Sequence, residues 1–213
     1  GQTYHIVNRG INSSPIFSSP REYSRFLNLI KYYRFDSVFL SYSHFKRLKG
    51  EIREEFLKNL ITKKQYRVKV LAFCLMQNHF HLLLHQLKDN GISKMLADVQ
   101  NGYARYFNLR NKRLGPLFQS VFKAVRIETE EQLIHTSRYI HLNPVTSYLV
   151  EPSELEVYRW SSFSDYIKPK TETFISSRLI LDLIGKTEKY RNFVLDQADY
   201  QRELANIKHL ILE

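Results

Sequence analysis

The sequence predicts an α+β fold in which helices cover an antiparallel sheet. The 213-residue chain is 43% hydrophobic and 14% aromatic, which is enough to build the core of a domain of moderate size. Runs with the two-residue period of strands alternate with runs that have the helical period. Two strand runs, 66–74 and 79–86, are separated only by a short turn, which indicates an antiparallel hairpin.

The order of the elements predicts the sheet topology. In chain order they are a strand at 4–7, a helix that opens at 19, strands at 66–74 and 79–86, a helix at 92–108, a strand at 120–127 and a helix from 129 to 143. Pro20 favours the first helical position. Pro144 is expected to end the last helix, because proline disfavours a helical conformation in the residue before it. The first six elements have the ferredoxin-like split β-α-β order, and the seventh is an additional helix.

The chain is expected to divide into a core over residues 1–150 and a C-terminal extension over 151–213. The core carries a helical insertion at about 36–64, in which the charged amphipathic stretch 46–60 is predicted to form a solvated helix. The extension is predicted to be a small, mostly helical appendage. Its helices are expected at 178–184 and 190–212.

The charge indicates a polyanionic partner. Lys and Arg number 32 against 21 Asp and Glu, a net charge of +11, and nucleic acid is the commonest polyanion. The alternative is a basic protein that contacts only membranes or acidic proteins. Residues 58–88 and 99–127 contain basic residues but no acid, and aromatic residues are interleaved in the second run. Such a pattern suits a groove that follows phosphates and stacks bases, although most of these aromatics are better explained as core. The predicted phosphate contacts are Arg9, Arg105, Arg110, Lys112, Arg113, Lys123 and Arg126.

Other features exclude whole classes of protein. The single cysteine, Cys74, excludes an internal disulfide and a cysteine-rich metal site, and its apolar neighbours predict a buried thiol. No stretch approaches the roughly 20 apolar residues that a membrane span needs, and no secretory signal opens the sequence. A reducing cytoplasm is the expected location.

The strand at 79–86 carries a candidate metal-binding pair. Side chains alternate between the faces of a strand, so His79 and His81 share one face with His85. Two imidazoles at this spacing can bind one cation. A His-x-His pair considered alone is more often an ordinary feature of a strand.

The last core helix carries a second candidate group. Tyr139 and Asn143 lie four residues apart and therefore project from the same face of the helix. The amide oxygen of Asn143 suits a hard ion such as Mg²⁺ or Mn²⁺. A phenol with an ordinary pKa of about 10 is a poor nucleophile at neutral pH, and a nearby cation assists by neutralising charge in the transition state. Without further context, the better explanation is that Tyr139 is simply one of 14 tyrosines and that Asn143 only caps the helix before Pro144.

Several segments supply that context. Met76-Gln77-Asn78-His79-Phe80-His81 resembles the His-hydrophobic-His metal motif of the single-tyrosine transposases. The run Tyr139-Ile140-His141-Leu142-Asn143 resembles the tyrosine-bearing helix of that family, and most closely that of the REP-associated tyrosine transposases. The supporting segments, in the expected order, are Tyr4-His5-Ile6-Val7-Asn8-Arg9-Gly10, Gly115-Pro116-Leu117-Phe118-Gln119 and Trp160-Ser161-Ser162-Phe163 with Tyr166 beyond.

The resemblance implies a function as well as a fold. It implies that His79, His81 and Asn143 bind Mg²⁺ or Mn²⁺, and that Tyr139 attacks a DNA phosphate to form a 5′-phosphotyrosine intermediate. It also implies a nuclease and strand transferase of the bacterial cytoplasm and nucleoid. Its substrate would be single-stranded DNA beside a hairpin. Whether such a protein is a monomer or a homodimer stays open.

Some features depart from the family or leave alternatives open. The Gly-Thr-x-Tyr signature of many relatives is not matched by Gly1-Gln2-Thr3-Tyr4, and the insertion is longer than a compact core needs. Gln77 is an alternative to Asn143 as a ligand. Tyr103 and Tyr106 are rival nucleophiles, but neither has a metal-ligand residue four positions later.

A domesticated protein that binds hairpin DNA without cutting it is the main alternative function. A structural zinc site at His79 and His81 is the weakest alternative, because asparagine is a poor zinc ligand.

Overall fold

A four-stranded antiparallel sheet forms the centre of the protein. The computed structural model describes residues 1–36, 38–168 and 173–203. The strands are β1 (Thr3–Arg9), β2 (Val68–Met76), β3 (His79–Gln86) and β4 (Lys123–Ile127). They lie in the order β2-β3-β1-β4, and every neighbouring pair is antiparallel. This order confirms the predicted ferredoxin-like α+β fold. β4 is three residues shorter at its start than the sequence predicted.

Helices cover both faces of the sheet. The helices of the core are α1 (Pro20–Tyr33), α2 (Tyr42–Arg47), α3 (Gly50–Lys63), α4 (Gly91–Arg110) and α5 (Glu130–Thr146). On one face, Phe26 of α1 packs against Phe80 of β3 and Tyr103 of α4, with ring centroids 4.9 and 5.1 Å apart. On the other face, α5 lies over β2 and β3. The two faces therefore have different coverings, and α5 is the additional helix that the sequence predicted.

The insertion differs from the prediction of a single helix over 46–60. The structure forms two helices, α2 and α3, separated at Leu48 and Lys49, where the backbone is extended. α2 begins earlier than expected because the Ser41 hydroxyl accepts a hydrogen bond from the backbone amide of His44. The stretch is largely exposed, as predicted, although Phe45 and Leu60 are buried.

The prediction that Pro144 ends the last core helix is wrong. α5 continues to Thr146, with Pro144 inside its last turn. Proline at this position removes one hydrogen bond, to the carbonyl of Ile140, and only near the end of the helix. Val145 is fully buried, and this burial offsets the lost hydrogen bond.

The C-terminal extension packs against α5 and β2. It contains α6 (Phe163–Ile167), α7 (Arg178–Ile184) and α8 (Thr187–Leu195). The predicted helix 178–184 is confirmed. The predicted helix 190–212 corresponds to α8 and a helical stretch at 198–203, and its remainder lies outside the described residues. Among the described helices none is long and apolar enough to cross a membrane. Cys74 is buried, as predicted.

A buried polar network fastens α5 to its neighbours. His141 of α5 is fully buried, and its ring nitrogens lie 2.7 Å from the Tyr190 hydroxyl of α8 and 2.8 Å from the Ser162 hydroxyl. Tyr190 in turn donates to the Ser137 hydroxyl. The Ser162 hydroxyl accepts a hydrogen bond from the backbone amide of Phe73 in β2. A neutral His141 with its proton on Nδ1 satisfies these groups, and the network joins α5, α8 and β2.

This network predicts that the protein loses stability in mild acid. Burial lowers the pKa of His141 to about 3, whereas the unfolded chain takes up the proton near the ordinary value of 6.5. The contribution of His141 is therefore complete above pH 6.5 and falls as the pH drops towards 3, by about 1.4 kcal/mol per pH unit. Urea unfolding at pH 7.0, 6.0 and 5.0 measures this slope. His141→Gln should have a shallower slope by about one proton, and equal slopes would contradict the assignment.

Candidate active site

The pairing of β1 with β3 brings polar side chains together on the face that α5 covers. Val7 lies opposite His81, and Arg9 lies opposite His79. Side chains of directly paired residues project to the same face. His5, two residues before Val7, therefore joins the two predicted histidines and Arg9 on this face.

The two predicted metal-binding histidines each have one ring nitrogen already engaged. His79 Nδ1 lies 2.7 Å from Asn78 Oδ1, and His81 Nδ1 lies 3.0 Å from His5 Nε2. Their rings lie 5.0 Å apart at 81°. Asn78 Oδ1 accepts from His79 Nδ1–H, and His5 Nε2 is placed to accept from His81 Nδ1–H. Both Nε2 atoms then carry lone pairs and make no hydrogen bond within the described part of the chain, as metal-binding imidazoles require.

Burial keeps these imidazoles neutral. Burial, with a smaller contribution from the charge of Arg9, lowers the pKa of His79 to about 4. Burial also lowers the pKa of His81 to well below its ordinary value, with contributions from His79, His5 and Arg9. The pKa of His5 falls to about 4 for the same reason, desolvation. At neutral pH all three rings are therefore uncharged, which is the form that binds a cation.

Tyr139 lies against this histidine cluster. Its ring is edge-on to His81 and His5, with centroid distances of 5.6 and 5.9 Å, and 44% of the residue is exposed. Burial of the remainder raises the pKa of the phenol above its ordinary value, while a hydrogen bond with Asn143 and the charge of Arg9 lower it in part. The phenol is therefore protonated at neutral pH, yet accessible to a large substrate.

The rival tyrosines lie on the other side of the sheet. Tyr103 is fully buried against α1, and its hydroxyl donates to the carbonyl oxygen of Ile16. Tyr106 is also on α4, and its buried hydroxyl has no hydrogen-bond partner among the described residues. Neither phenol is near His79 and His81. This agrees with the sequence, in which neither tyrosine is followed by a metal-ligand residue four positions later.

Asn143 is placed one helical turn after Tyr139. It is 5% exposed, and its Nδ2 donates to the Tyr139 carbonyl oxygen at 2.8 Å, which leaves Oδ1 as a free acceptor among the described residues. The described residues contain no group of three His, Cys, Asp or Glu side chains that could hold a metal. The sequence predicts an amide oxygen as the third ligand beside the two imidazoles. Asn143 and the exposed Gln77 in the β2–β3 turn are the two candidates named from the sequence.

The basic residues predicted to contact DNA do not form one surface. Arg9 and Lys123 lie on the histidine face, since Lys123 is opposite Val7, and both line a small cavity of about 200 Å³. Arg105 and Arg110 lie on α4, beyond the other face. Arg126 is exposed on β4 opposite Tyr4, and so projects to the α4 side.

The other two predicted phosphate contacts, Lys112 and Arg113, lie in the loop after α4. Lys112 is exposed there. Arg113 donates to the carbonyl oxygens of Pro116 and Gly115 at 2.7 and 3.4 Å and to Asn108 Oδ1 at 3.1 Å. Its guanidinium therefore braces the loop, which leaves fewer donors for a phosphate.

Two further histidines are assigned by their contacts. His85 lies at the far end of β3, where its Nδ1 is 2.9 Å from the Thr3 hydroxyl. His5 lies in the supporting segment at residues 4–10, but the sequence did not predict it as a site residue. Its alternation with Val7 and Arg9 was visible in the sequence, but the register that places it beside His81 was not.

Comparison with known proteins identifies the family and the fold of the chain. The family model described as "Transposase IS200 like" matches residues 31–143, more than half of the chain, and this range contains His79, His81, Tyr139 and Asn143. A solved structure of a REP-associated tyrosine transposase bound to a REP hairpin is similar in fold, with a TM-score of 0.52 and 15% sequence identity. The match covers 82% of this chain and 84% of that one. No curated protein matches in sequence. The chain belongs to the IS200-like transposase family, and its fold is that of the REP-associated tyrosine transposases.

Proposed function

We propose that this chain is a metal-dependent single-stranded DNA nuclease and strand transferase with Tyr139 as its nucleophile. The observation that carries the proposal is the contact of the Tyr139 ring with His81, beside two imidazoles whose Nε2 atoms are free. Membership in the IS200-like transposase family supports DNA processing. The REP hairpin in the similar solved structure supports hairpin-containing DNA as the partner.

His79, His81 and Asn143 fit the needs of a hard divalent cation. Two neutral imidazole nitrogens and one amide oxygen suit Mn²⁺ and are also compatible with Mg²⁺, which usually keeps several waters. Bound there, either ion would neutralise the charge that develops on a phosphate in the transition state. Asn78 and His5 would orient the two rings by fixing which nitrogen carries the proton.

The proposed reaction is a transesterification. Tyr139 Oη forms a bond to phosphorus, the bond between phosphorus and the 3′ oxygen breaks, and the leaving strand takes up a proton as a 3′-hydroxyl. The phenol loses its proton in the same reaction, which is necessary because burial raises its pKa. The product is a 5′-phosphotyrosine link. Attack by a 3′-hydroxyl reverses the step, so DNA is rejoined without an external source of energy.

Arg9 and Lys123 are the residues best placed to hold the reacting phosphate. They project from adjacent strands on the same face as His79 and His81. Arg9 follows Val7 by two residues along β1, and Lys123 of β4 pairs with Val7. The small cavity that they line opens beside this face and accepts a group of about 200 Å³. Charge-assisted hydrogen bonds from such residues fix the position of a phosphate.

Covalent capture tests the nucleophile. Wild-type protein mixed with hairpin oligonucleotides that carry single-stranded flanks, plus Mn²⁺ or Mg²⁺, should give a slower band on a denaturing gel. Tyr139→Phe should remove this band because it removes Oη, and His81→Ala should remove it because one of the two imidazoles is lost. Tyr106→Phe is the matched control, since the Tyr106 hydroxyl is buried without a partner on the other side of the sheet.

The other outcomes are equally informative. A covalent band that persists in Tyr139→Phe would show that another residue is the nucleophile. DNA that shifts on a native gel but forms no covalent band with either ion would favour the alternative function, a hairpin-binding protein that does not cut.

A second experiment tests the role of His5 without using activity. His5→Ala should weaken Mn²⁺ binding by about 10- to 100-fold, because His81 loses the acceptor that fixes its tautomer. Titration calorimetry with Mn²⁺ on the DNA-free protein measures this change. His5→Gln offers a side-chain oxygen as a replacement acceptor and should recover part of the affinity. His85→Ala, at the other end of β3, should bind Mn²⁺ like the wild type, and unchanged affinity in His5→Ala would refute the role.

A further inference from the structure

Arg202 of the C-terminal extension closes the turn that follows α5. It lies in the helical stretch at 198–203, and its side chain is only 16% exposed. Its Nε donates to the carbonyl oxygen of Val145, in the last turn of α5, and a terminal nitrogen donates to that of Val150, both at 3.1 Å. The other terminal nitrogen forms an ion pair with Glu151 at 3.0 Å. One guanidinium therefore joins the end of the helix to the chain that leaves it.

The end of α5 has two weaknesses that this contact opposes. Pro144 has no amide hydrogen, so the last turn of the helix has one hydrogen bond fewer than an ordinary helix. Tyr148, the second residue after the helix, has a φ of 52°, in the left-handed region that residues other than glycine rarely adopt. The guanidinium carbon of Arg202 lies 4.9 Å from the centre of the Tyr148 ring. Arg202 therefore contacts the strained residue as well as the carbonyl groups beside it.

The chemistry of arginine suits this position. The carbonyl groups in the last turn of a helix have no amide four residues further along, so donors from elsewhere in the chain can satisfy them. A guanidinium presents several donors in one plane, and its positive charge is favourable at the carboxyl end of a helix. Arg202 meets both conditions, although no pattern in the sequence connects it with α5.

Asn143 depends on the same turn. Its backbone carbonyl oxygen accepts hydrogen bonds from the Ser147 amide at 3.0 Å and from the Thr146 hydroxyl at 3.1 Å. Its side chain donates to the carbonyl oxygen of Tyr139 at 2.8 Å, one turn earlier in the helix. Helices fray from their ends, so opening of the turn would break the first two of these hydrogen bonds. The position of Asn143 is therefore sensitive to the turn that Arg202 closes.

We infer that Arg202 is a positioning residue for the proposed cation site. By closing the turn after α5 it fixes Asn143, and it thereby holds the amide oxygen of Asn143 on the face that carries His79 and His81. Arg202 acts through the backbone of α5 and not through a contact with the cation. The C-terminal extension is then part of the design of the site as well as a support for the core. That the fixed side chain serves a cation rests on the proposed function.

Calorimetric titration of the full-length, DNA-free protein with Mn²⁺ tests this role. Arg202→Ala should weaken Mn²⁺ binding by about tenfold, the low end of the effect of losing a residue that orients a ligand. Arg202→Lys should recover little of this affinity, because one ammonium group does not reproduce the planar fork that binds the separate acceptors. Glu151→Gln removes only the exposed ion-pair partner and should stay within about twofold of wild type.

Two further variants distinguish positioning from a general loss of stability. Glycine adopts a φ of 52° without strain, so in a Tyr148→Gly background Arg202→Ala should cost no more than about threefold in Mn²⁺ affinity. Arg191→Ala is the control, because Arg191 pairs with Glu156 at 2.6 Å within the same extension, and it should bind Mn²⁺ like the wild type. Unchanged affinity in Arg202→Ala would overturn the inference. An equal loss in Arg191→Ala, or a full tenfold loss in the glycine background, would also overturn it.

Hydrogen exchange shows whether Arg202 or the proposed function has failed. Arg202→Ala should speed exchange of the backbone amides at 147–150 by about tenfold, whereas Arg191→Ala should not. If the wild type binds no Mn²⁺ but exchange changes in this way, the proposed cation site fails and Arg202 still holds Asn143. If Mn²⁺ binding depends on Arg202 but no covalent band forms with DNA, the cleavage proposal fails and the positioning role stands. Unchanged exchange in Arg202→Ala would overturn the positioning role whatever the Mn²⁺ affinity.

Discussion

Val7 lies opposite His81 in the antiparallel ladder between β1 and β3, and the rest of the candidate site depends on this register. A strand has a period of two, so a slip of one residue would turn His81 into the core and Phe80 into the site. Burial of Ile6, Phe80 and Leu82 on the α1 and α4 side opposes such a slip, because all three would become exposed to the polar face. The apolar core therefore determines which imidazoles meet.

The position of Tyr139, the proposed nucleophile, depends on α5 as a rigid element. Tyr139 and Asn143 project from one side of this helix towards β3, while His141 projects towards the C-terminal helices. The buried hydrogen bonds of His141 to Tyr190 and Ser162 can be satisfied only in one arrangement of the helix. The side chain of Tyr139 is nearly half exposed, yet contacts on the opposite side of its helix keep it in a defined position. The Trp160-Ser161-Ser162-Phe163 segment takes part in this arrangement, because its Ser162 hydroxyl contacts His141 and β2.

Periodicity and spacing were sufficient to predict the strand order, the histidine face and the pairing of Tyr139 with Asn143, because each depends on local geometry. Strand register is a long-range property, so His5 was not identified beside His81. The extension of α5 past Pro144 depends on burial of Val145, which propensity does not include. Runs of basic residues were a poor guide to surfaces, because Arg105 of α4 and Lys123 of β4 lie within one acid-free run but on different sides of the sheet.

This separation of charge has an electrostatic reason. A cation that binds at two neutral imidazoles is repelled by every positive side chain nearby, and each such charge also lowers the histidine pKa, as Arg9 does for His79. The histidine face can therefore tolerate only a few basic residues, and Arg9 and Lys123, which are proposed to hold the reacting phosphate, are two of them. The charge needed for affinity to a polyanion has to be placed elsewhere, and Arg105 and Arg110 of α4 lie beyond the opposite face of the sheet. The same overall charge can then serve DNA binding without weakening the proposed cation site.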